Sequence, residues 1–128
     1  MIFMLVKSLK DLPEFTAGDN SFLREILNSN KEKLAIGYSL AWFRVLPKQK
    51  TGQHALAASE VYYIISGNGI MHIDNETKTV QANDTIYIPP NALQWIENIS
   101  ETEILVALCI VDPAWKPEIE TVFFSTSS

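Results

Sequence analysis

The clearest pattern in this chain is the run Val61–Ile65, where every residue is β-branched or aromatic and a Ser-Gly-Asn-Gly turn follows. Such a run predicts a strand that ends in a tight turn. Because side chains alternate along a strand, Glu60, Tyr62 and Ile64 point to one side, and both sides are apolar enough to be covered. Glu60 is therefore expected to be buried, where a carboxylate needs a partner. His54 is the nearest candidate in the sequence.

Further short apolar runs, separated by turn residues, predict about seven or eight strands with turns roughly every 8–12 residues. The predicted strands outside the first run are 34–46, 70–74, 77–80, 85–88, 93–98 and 104–111. Asp74-Asn75-Glu76 separates two of them and is expected to form a hairpin turn, since Asn tolerates a positive φ. No segment predicts a long helix. The pattern is typical of an all-β antiparallel sandwich or barrel.

The two ends of the chain are less clear. Met1–Val6 is apolar and is expected to form an edge strand or a swapped strand, and Pro13 interrupts the pattern soon afterwards. Asp19–Asn30 is ambiguous, because its apolar residues have helical spacing but the segment is short and ends in Asn-Ser-Asn. Glu118–Phe124 is read as either one helical turn or a last strand.

Composition restricts the class of protein further. A length of 128 residues, with 47% apolar and 20% charged residues, predicts one globular domain over 1–128. The net charge is −5, and no basic patch with interleaved aromatic residues is present, so nucleic acid is not expected as a partner. The chain has no apolar run of about 20 residues and no signal-peptide pattern at its start, which predicts a cytoplasmic protein without membrane contact. Cys109 is the single cysteine and is expected to be a small buried hydrophobe.

Two groups of residues carry a family resemblance. The first is His54, Leu56, Glu60 and Gly67, and the second is Asn83, Pro89, Asn91, Gln94 and Asn98. The cupins carry two motifs, commonly written G-x5-H-x-H-x3,4-E-x6-G and G-x5-P-x-G-x2-H-x3-N, and every spacing within the two groups fits them. The chain therefore resembles the cupins, which implies a double-stranded β-helix, the jelly-roll barrel. The motif-bearing barrel would cover about 35–111, with N-terminal strands in 1–34 and a tail at 112–128.

Some residues depart from the family pattern. Asn83 and Asn91 stand where the family has Gly, but Asn tolerates the left-handed region best among the other residues, so the turns can persist. The departures at the metal ligands matter more. The family's usual ligands are three His and one Glu, whereas this chain has Leu56 and Gln94 in place of the second and third His.

The resemblance implies a reduced metal site made of His54, Glu60 and Gln94. Imidazole, carboxylate and amide oxygen would suit Fe(II), Mn(II) or Zn(II), and Ni and Cu stay open as alternatives. Open coordination positions are what a catalytic metal needs for its substrate. Tyr62 lies on the same side of the strand as Glu60, so Glu60 and Tyr62 are the candidate catalytic residues for moving a proton.

A metal-free interpretation uses the same residues. Glu60 and Gln94 would form a hydrogen-bonded pair in a polar pocket, with a charged His54 beside the carboxylate. This arrangement either binds a small ligand or only satisfies its own polar groups. His72 is expected to face outward, because its neighbours Met71 and Ile73 look like the core pair.

Two functions follow from these alternatives. One is a metal-dependent enzyme acting on a small polar metabolite, with isomerase, cyclase, lyase and dioxygenase chemistry all open. The other is a non-catalytic protein that binds a sugar or another small molecule without metal. The fold alone does not choose between them. The outward apolar residues Val61, Tyr63, Ile65 and Trp95 favour a homodimer, because a lone small sandwich rarely exposes such a patch.

Overall fold

A computed structural model describes residues 4–123. The strands are β1 Phe15–Thr16, β2 Phe22–Asn28, β3 Ser39–Val45, β4 Gln53–Leu56, β5 Ser59–Ser66, β6 Asn68–Ile73, β7 Glu76–Gln81, β8 Thr85–Ile88, β9 Gln94–Glu97, β10 Leu105–Asp112 and β11 Glu120–Phe123. Two three-residue 3-10 helices lie at Leu9–Asp11 and Pro117–Ile119. No helix among the described residues is long and apolar enough to cross a membrane.

The strands form two antiparallel sheets that face each other. One sheet has six strands in the order β1-β2-β3-β10-β5-β8, and the other has five in the order β11-β4-β9-β6-β7. From β3 to β11, consecutive strands alternate between the sheets except for the hairpin β6–β7, as in a jelly roll. The prediction of an all-β jelly-roll barrel is confirmed.

Both ends of the chain form strands in segments whose secondary structure the sequence pattern did not decide. The segment with helical spacing forms β2, because Leu23 packs against the core while the strand pairs with β3 along its length. The C-terminal segment forms both a 3-10 turn and β11. Met4–Val6 forms no strand, and the rest of the predicted N-terminal strand lies outside the described residues.

Three turns have the backbone geometry that the motif spacing predicted. Asn83 and Asn91 have φ values of 75° and 66°, so asparagine adopts the left-handed region at the positions where the family has Gly. Gly67 has a φ of +88°, and a Cβ at this position would lie 2.6 Å from the carbonyl oxygen of Ile104. These turns hold the ends of β5, β7 and β8 in place around the barrel.

The core lies between the two sheets and consists of the alternate residues that point inward. Ile64, Ile96 and Leu105 are completely buried. The Phe43 and Tyr62 rings pack with their centroids 4.9 Å apart. The inward series of β5 is therefore Glu60, Tyr62 and Ile64, as the alternation predicted.

The outer faces differ from the expectation that both sides of β5 would be covered. Tyr63 and Ile65 are 41% and 42% exposed on the six-stranded sheet. Trp95 lies on the outer face of the other sheet, where it stacks on His72 with ring centroids 4.3 Å apart. His72 thus faces outward as predicted, but Trp95 does not belong to the same surface as Tyr63.

Candidate functional site

The strand register brings the motif side chains into the barrel interior. His54 on β4 is the direct cross-strand partner of Gln94 on β9, and the two are 4% and 1% exposed. Glu60 lies on β5 of the opposite sheet and is 4% exposed. The expected burial of Glu60 is confirmed, and the polar side chains of the two motifs meet between the sheets.

Gln94 is the residue that joins the two sheets. Its amide N–H donates a 2.6 Å hydrogen bond to Glu60 Oε1, and its amide oxygen accepts a 3.0 Å hydrogen bond from the Tyr62 hydroxyl. Because the donor and the acceptor of the amide are both used, its orientation is fixed. The partner of Glu60 is thus Gln94, and not His54, which its position in the sequence had favoured.

Cys109 is the second hydrogen-bond partner of the Glu60 carboxyl group. Its thiol on β10 donates a 2.8 Å hydrogen bond to Glu60 Oε2. Cys109 is buried as predicted, but it is a polar partner and not only a small hydrophobe. The signal that could have found it is alternation along β10, which places Cys109 inward and beside Tyr62 in the register.

Burial shifts the protonation of this network toward neutral groups. Burial raises the pKa of Glu60, and the hydrogen bonds from Cys109 and Gln94 offset this shift only in part. Burial, followed by the nearby Glu60 carboxyl, also raises the pKa values of Tyr62 and Cys109 well above their ordinary range. Burial in the interior therefore disfavours the charged forms of all three groups.

His54 is held by the main chain rather than by Glu60. Its Nδ1–H donates a 2.9 Å hydrogen bond to the carbonyl oxygen of Gly52. This contact leaves the lone pair of a neutral imidazole on Nε2. Nε2 faces Asp19 Oδ2 at 3.8 Å, and within the described part of the chain it makes no hydrogen bond.

Asp19 is a site residue that the sequence did not single out. It lies in the turn between β1 and β2, and its Oδ1 accepts hydrogen bonds from the backbone N–H and the hydroxyl of Ser21. These bonds orient Oδ2 toward His54, and the two side chains are only 13% and 5% exposed. No sequence signal pointed to Asp19, because its segment gave an ambiguous pattern.

Glu120 is a second carboxylate near this end of the barrel. It is the cross-strand partner of Leu56, which occupies the position of the family's second His. Its Oε2 accepts a 3.0 Å hydrogen bond from the Trp115 indole N–H. Trp115 also packs against the core, so it fastens the C-terminal segment to the barrel.

The side-chain geometry tests whether a metal fits His54, Glu60 and Gln94. Both oxygens of Glu60 and the amide oxygen of Gln94 already accept hydrogen bonds from protein side chains. The Gln94 amide turns its N–H and not its oxygen toward Glu60, so the two residues are not arranged to share a metal, and Leu56 contributes no ligand atom. No group of three or more His, Cys, Asp or Glu among residues 4–123 could hold a metal ion. This arrangement does not fit a resident metal, and ligation by the three residues stays a prediction.

Comparison with known proteins places the chain in a family. The family model described as a cupin domain matches residues 41–111. An uncharacterised protein of Methanocaldococcus jannaschii is 40% identical over 96 residues, which cover 74% of this chain and 76% of that protein. Residues 41–111, which the family model matches, contain both motifs and the whole Glu60–Gln94 network.

Solved structures share the fold at lower identity. The polyketide cyclase RemF from Streptomyces resistomycificus superposes with a TM-score of 0.78 at 17% identity, covering 97% of this chain and 89% of that chain. Oxalate decarboxylase from Bacillus subtilis superposes with a TM-score of 0.74 at 23% identity, covering 89% of this chain and 30% of that chain. At these identities the likeness shows the fold alone.

Proposed function

Because this chain belongs to the cupin family, we propose that it binds a small polar molecule in its barrel and does so without a resident metal ion. The activity of such a barrel depends on the side chains that line it rather than on the fold. The hydrogen bond between Glu60 and Gln94 supports the metal-free alternative that the sequence left open.

The observation that carries the proposal is the closed hydrogen-bond network of Glu60 and Gln94. For Gln94 and Glu60 to bind one metal, the Gln94 amide would have to turn its oxygen toward Glu60, which would break its hydrogen bonds with Glu60 and Tyr62. Each buried donor released in this way would lose about 1–3 kcal/mol if it found no new partner. The network thus stabilises the barrel interior without a metal.

The groups left for a ligand lie next to this network. His54 Nε2 and Asp19 Oδ2 are polar atoms 3.8 Å apart, and neither makes a hydrogen bond within the described residues. A ligand hydroxyl or amine could donate to one or both of them. Glu60 and Tyr62 are the candidate residues for proton transfer if the protein also catalyses a reaction.

The metal-dependent enzyme is the second candidate, and one observation favours it. His54 Nε2 is open, and the spacing of the two motifs follows the family pattern. In that case His54, Glu60 and Gln94 would hold the metal, and Gln94 would have to release Glu60 first. The metal would supply Lewis acidity toward a small polar substrate.

Elemental mass spectrometry distinguishes the two candidates. The protein is purified without a metal-affinity column, incubated with Zn(II), Mn(II) or Fe(II), and desalted. We expect substoichiometric metal in the native protein, in His54→Ala and in the matched control His72→Ala alike. Near-stoichiometric metal that is lost in His54→Ala but retained in His72→Ala would establish the metal site and overturn the proposal.

Native mass spectrometry tests ligand binding directly. We expect the protein to carry a small molecule from the cell, or to retain one from a metabolite extract. Its occupancy should fall in His54→Ala and in Asp19→Asn, because each removes one of the two open acceptors. Equal occupancy in both variants and in His72→Ala would place the ligand elsewhere.

We also propose a second copy of this chain as the protein partner. The outer face of the six-stranded sheet exposes Tyr63, Tyr87 and Ile110 at 41%, 62% and 39%. Val61 lies between Tyr87 and Ile110 in the register, so these side chains form one continuous surface. An apolar face of this kind is typical of a protein interface. Nucleic acid and membranes are not partners in this proposal.

A further inference from the structure

A cleft of about 370 Å³ opens between β7 and β8, the strands at the ends of the two sheets. Its floor is apolar and consists of Met71, Ile73, Val80 and Ile86. The volume lies within the range of roughly 300–1,000 Å³ that is usual for small-molecule pockets. The barrel is therefore accessible from its side, away from the turn that carries Asp19.

The cleft floor is next to the buried polar network. Ile73 on β6 is the cross-strand partner of Gln94, and Ile86 on β8 is the partner of Tyr62. Direct partners in an antiparallel pair have side chains on the same face of the sheet. A ligand in the cleft would thus be separated from the Tyr62–Gln94 hydrogen bond by one layer of isoleucine side chains.

Two opposite charges lie at the rim of the cleft. Glu76 is the cross-strand partner of Ile73, and Lys78 is the partner of Met71, so both side chains start on the cleft side of β7. Neither forms an ion pair within the described part of the chain. Asp84, the other acidic residue at the rim, is held in its turn by a 2.8 Å hydrogen bond from the backbone N–H of Gln81.

We propose that this cleft binds a small zwitterion with an apolar side chain, of the chemical class of aliphatic α-amino acids. The ligand's ammonium group would pair with Glu76, its carboxylate with Lys78, and its aliphatic chain would cover Met71, Ile73 and Ile86. Opposite charges two residues apart on one face suit a ligand that carries both signs, whereas an acid or an amine alone would leave one of them unused. This cleft is a second ligand site, separate from the one at His54 and Asp19, so the inference goes beyond the proposed function and does not depend on it.

Isothermal titration calorimetry with three matched compounds tests the ligand class. Norleucine carries both charged groups, hexanoate lacks the amine, and pentylamine lacks the carboxylate. We expect norleucine to bind at least about tenfold more tightly than either of the others, since each of the others leaves one charged side chain of the cleft without a partner. Equal affinity for hexanoate or pentylamine, or no binding of any of the three, would overturn the inference.

Four variants test the position of the ligand. Glu76→Gln and Lys78→Gln should each weaken norleucine binding about tenfold. Glu118→Gln and Lys33→Gln change the same charges at exposed positions outside the cleft and should leave it unchanged. Lys78 lies on the edge strand β7, where a lysine can also serve to prevent pairing with the sheet of another molecule. If that is its only role, Lys78→Gln should not change norleucine binding. Binding that is insensitive to all four variants would reject the cleft but leave the proposed function standing, which the metal measurement tests separately.

Discussion

The Tyr62 hydroxyl lies 3.0 Å from the Gln94 amide oxygen, and this bond connects β5 of the six-stranded sheet with β9 of the five-stranded sheet. Both residues are almost completely buried, at 3% and 1% exposed. Loss of this bond would leave a buried polar group without a partner, so the bond stabilises the folded barrel.

Tyr62→Phe removes the hydroxyl and leaves the Gln94 amide oxygen without its donor. We expect the free energy of unfolding to fall by about 1–3 kcal/mol, the cost of a buried polar group that loses its partner. Urea denaturation followed by circular dichroism measures this difference.

The matched control is Tyr63→Phe on the same strand. Tyr63 also donates a 3.0 Å hydrogen bond, to Asn83 Oδ1, but its side chain is largely exposed, so water can replace the lost partner. We expect a change within about 0.5 kcal/mol. Equal losses in the two variants would mean that the interior network adds nothing to stability.

Glu60 makes stability depend on pH. Burial raises its pKa in the folded protein above the ordinary value of 4.5. A group with a raised folded pKa contributes its stability fully below the unfolded pKa, and this contribution is lost as the pH rises through the folded pKa. The free energy of unfolding of the native protein should therefore decrease from mildly acidic toward alkaline pH.

Glu60→Gln should remove this decrease. An amide keeps one acceptor for Gln94 and one donor for the Cys109 sulfur, but it cannot ionise. Denaturant unfolding at several pH values should give a flatter profile for this variant, with a gain over the native protein at alkaline pH. The same slope in both proteins would mean that Glu60 does not titrate in this range.

Leu56→His combined with Gln94→His should create a metal site. The first change adds an imidazole at the family's second ligand position. The second replaces the Gln94 amide, which now donates a hydrogen bond to Glu60, with another imidazole. Together with His54 they supply the donors that tetrahedral and octahedral sites require. Elemental analysis after incubation with Zn(II) should show near-stoichiometric metal in the double variant. Its absence would argue that the motif alignment is wrong.

The outer face of the six-stranded sheet can be tested by solution mass. We expect light scattering to give twice the chain mass of 14.4 kDa, because a second copy would bury the exposed apolar surface around Tyr63 and Ile110. Ile110→Lys should give the monomer. Thr121→Lys places the same charge on the exposed face of the other sheet and should not change the mass. A monomeric native protein would exclude this interface.

The sequence by itself determined which side chains point into the barrel. A strand has a period of two, so Glu60, Tyr62 and Gln94 had to share the inward series once their strands were recognised. The motif spacing likewise predicted the left-handed turns at Asn83 and Asn91, since few other residues tolerate that conformation. These features are local, and a local pattern is sufficient to predict them.

Only the tertiary structure decided which of these side chains meet. Cys109 lies 49 residues from Glu60 and Gln94 lies 34 residues from it, so the contacts depend on how β5, β9 and β10 are placed in two sheets. Asp19 reaches His54 from a turn whose strand the pattern did not identify. Alternation gives the direction of a side chain but not its distance from another strand, because strand order and register are set by the packing of the whole core.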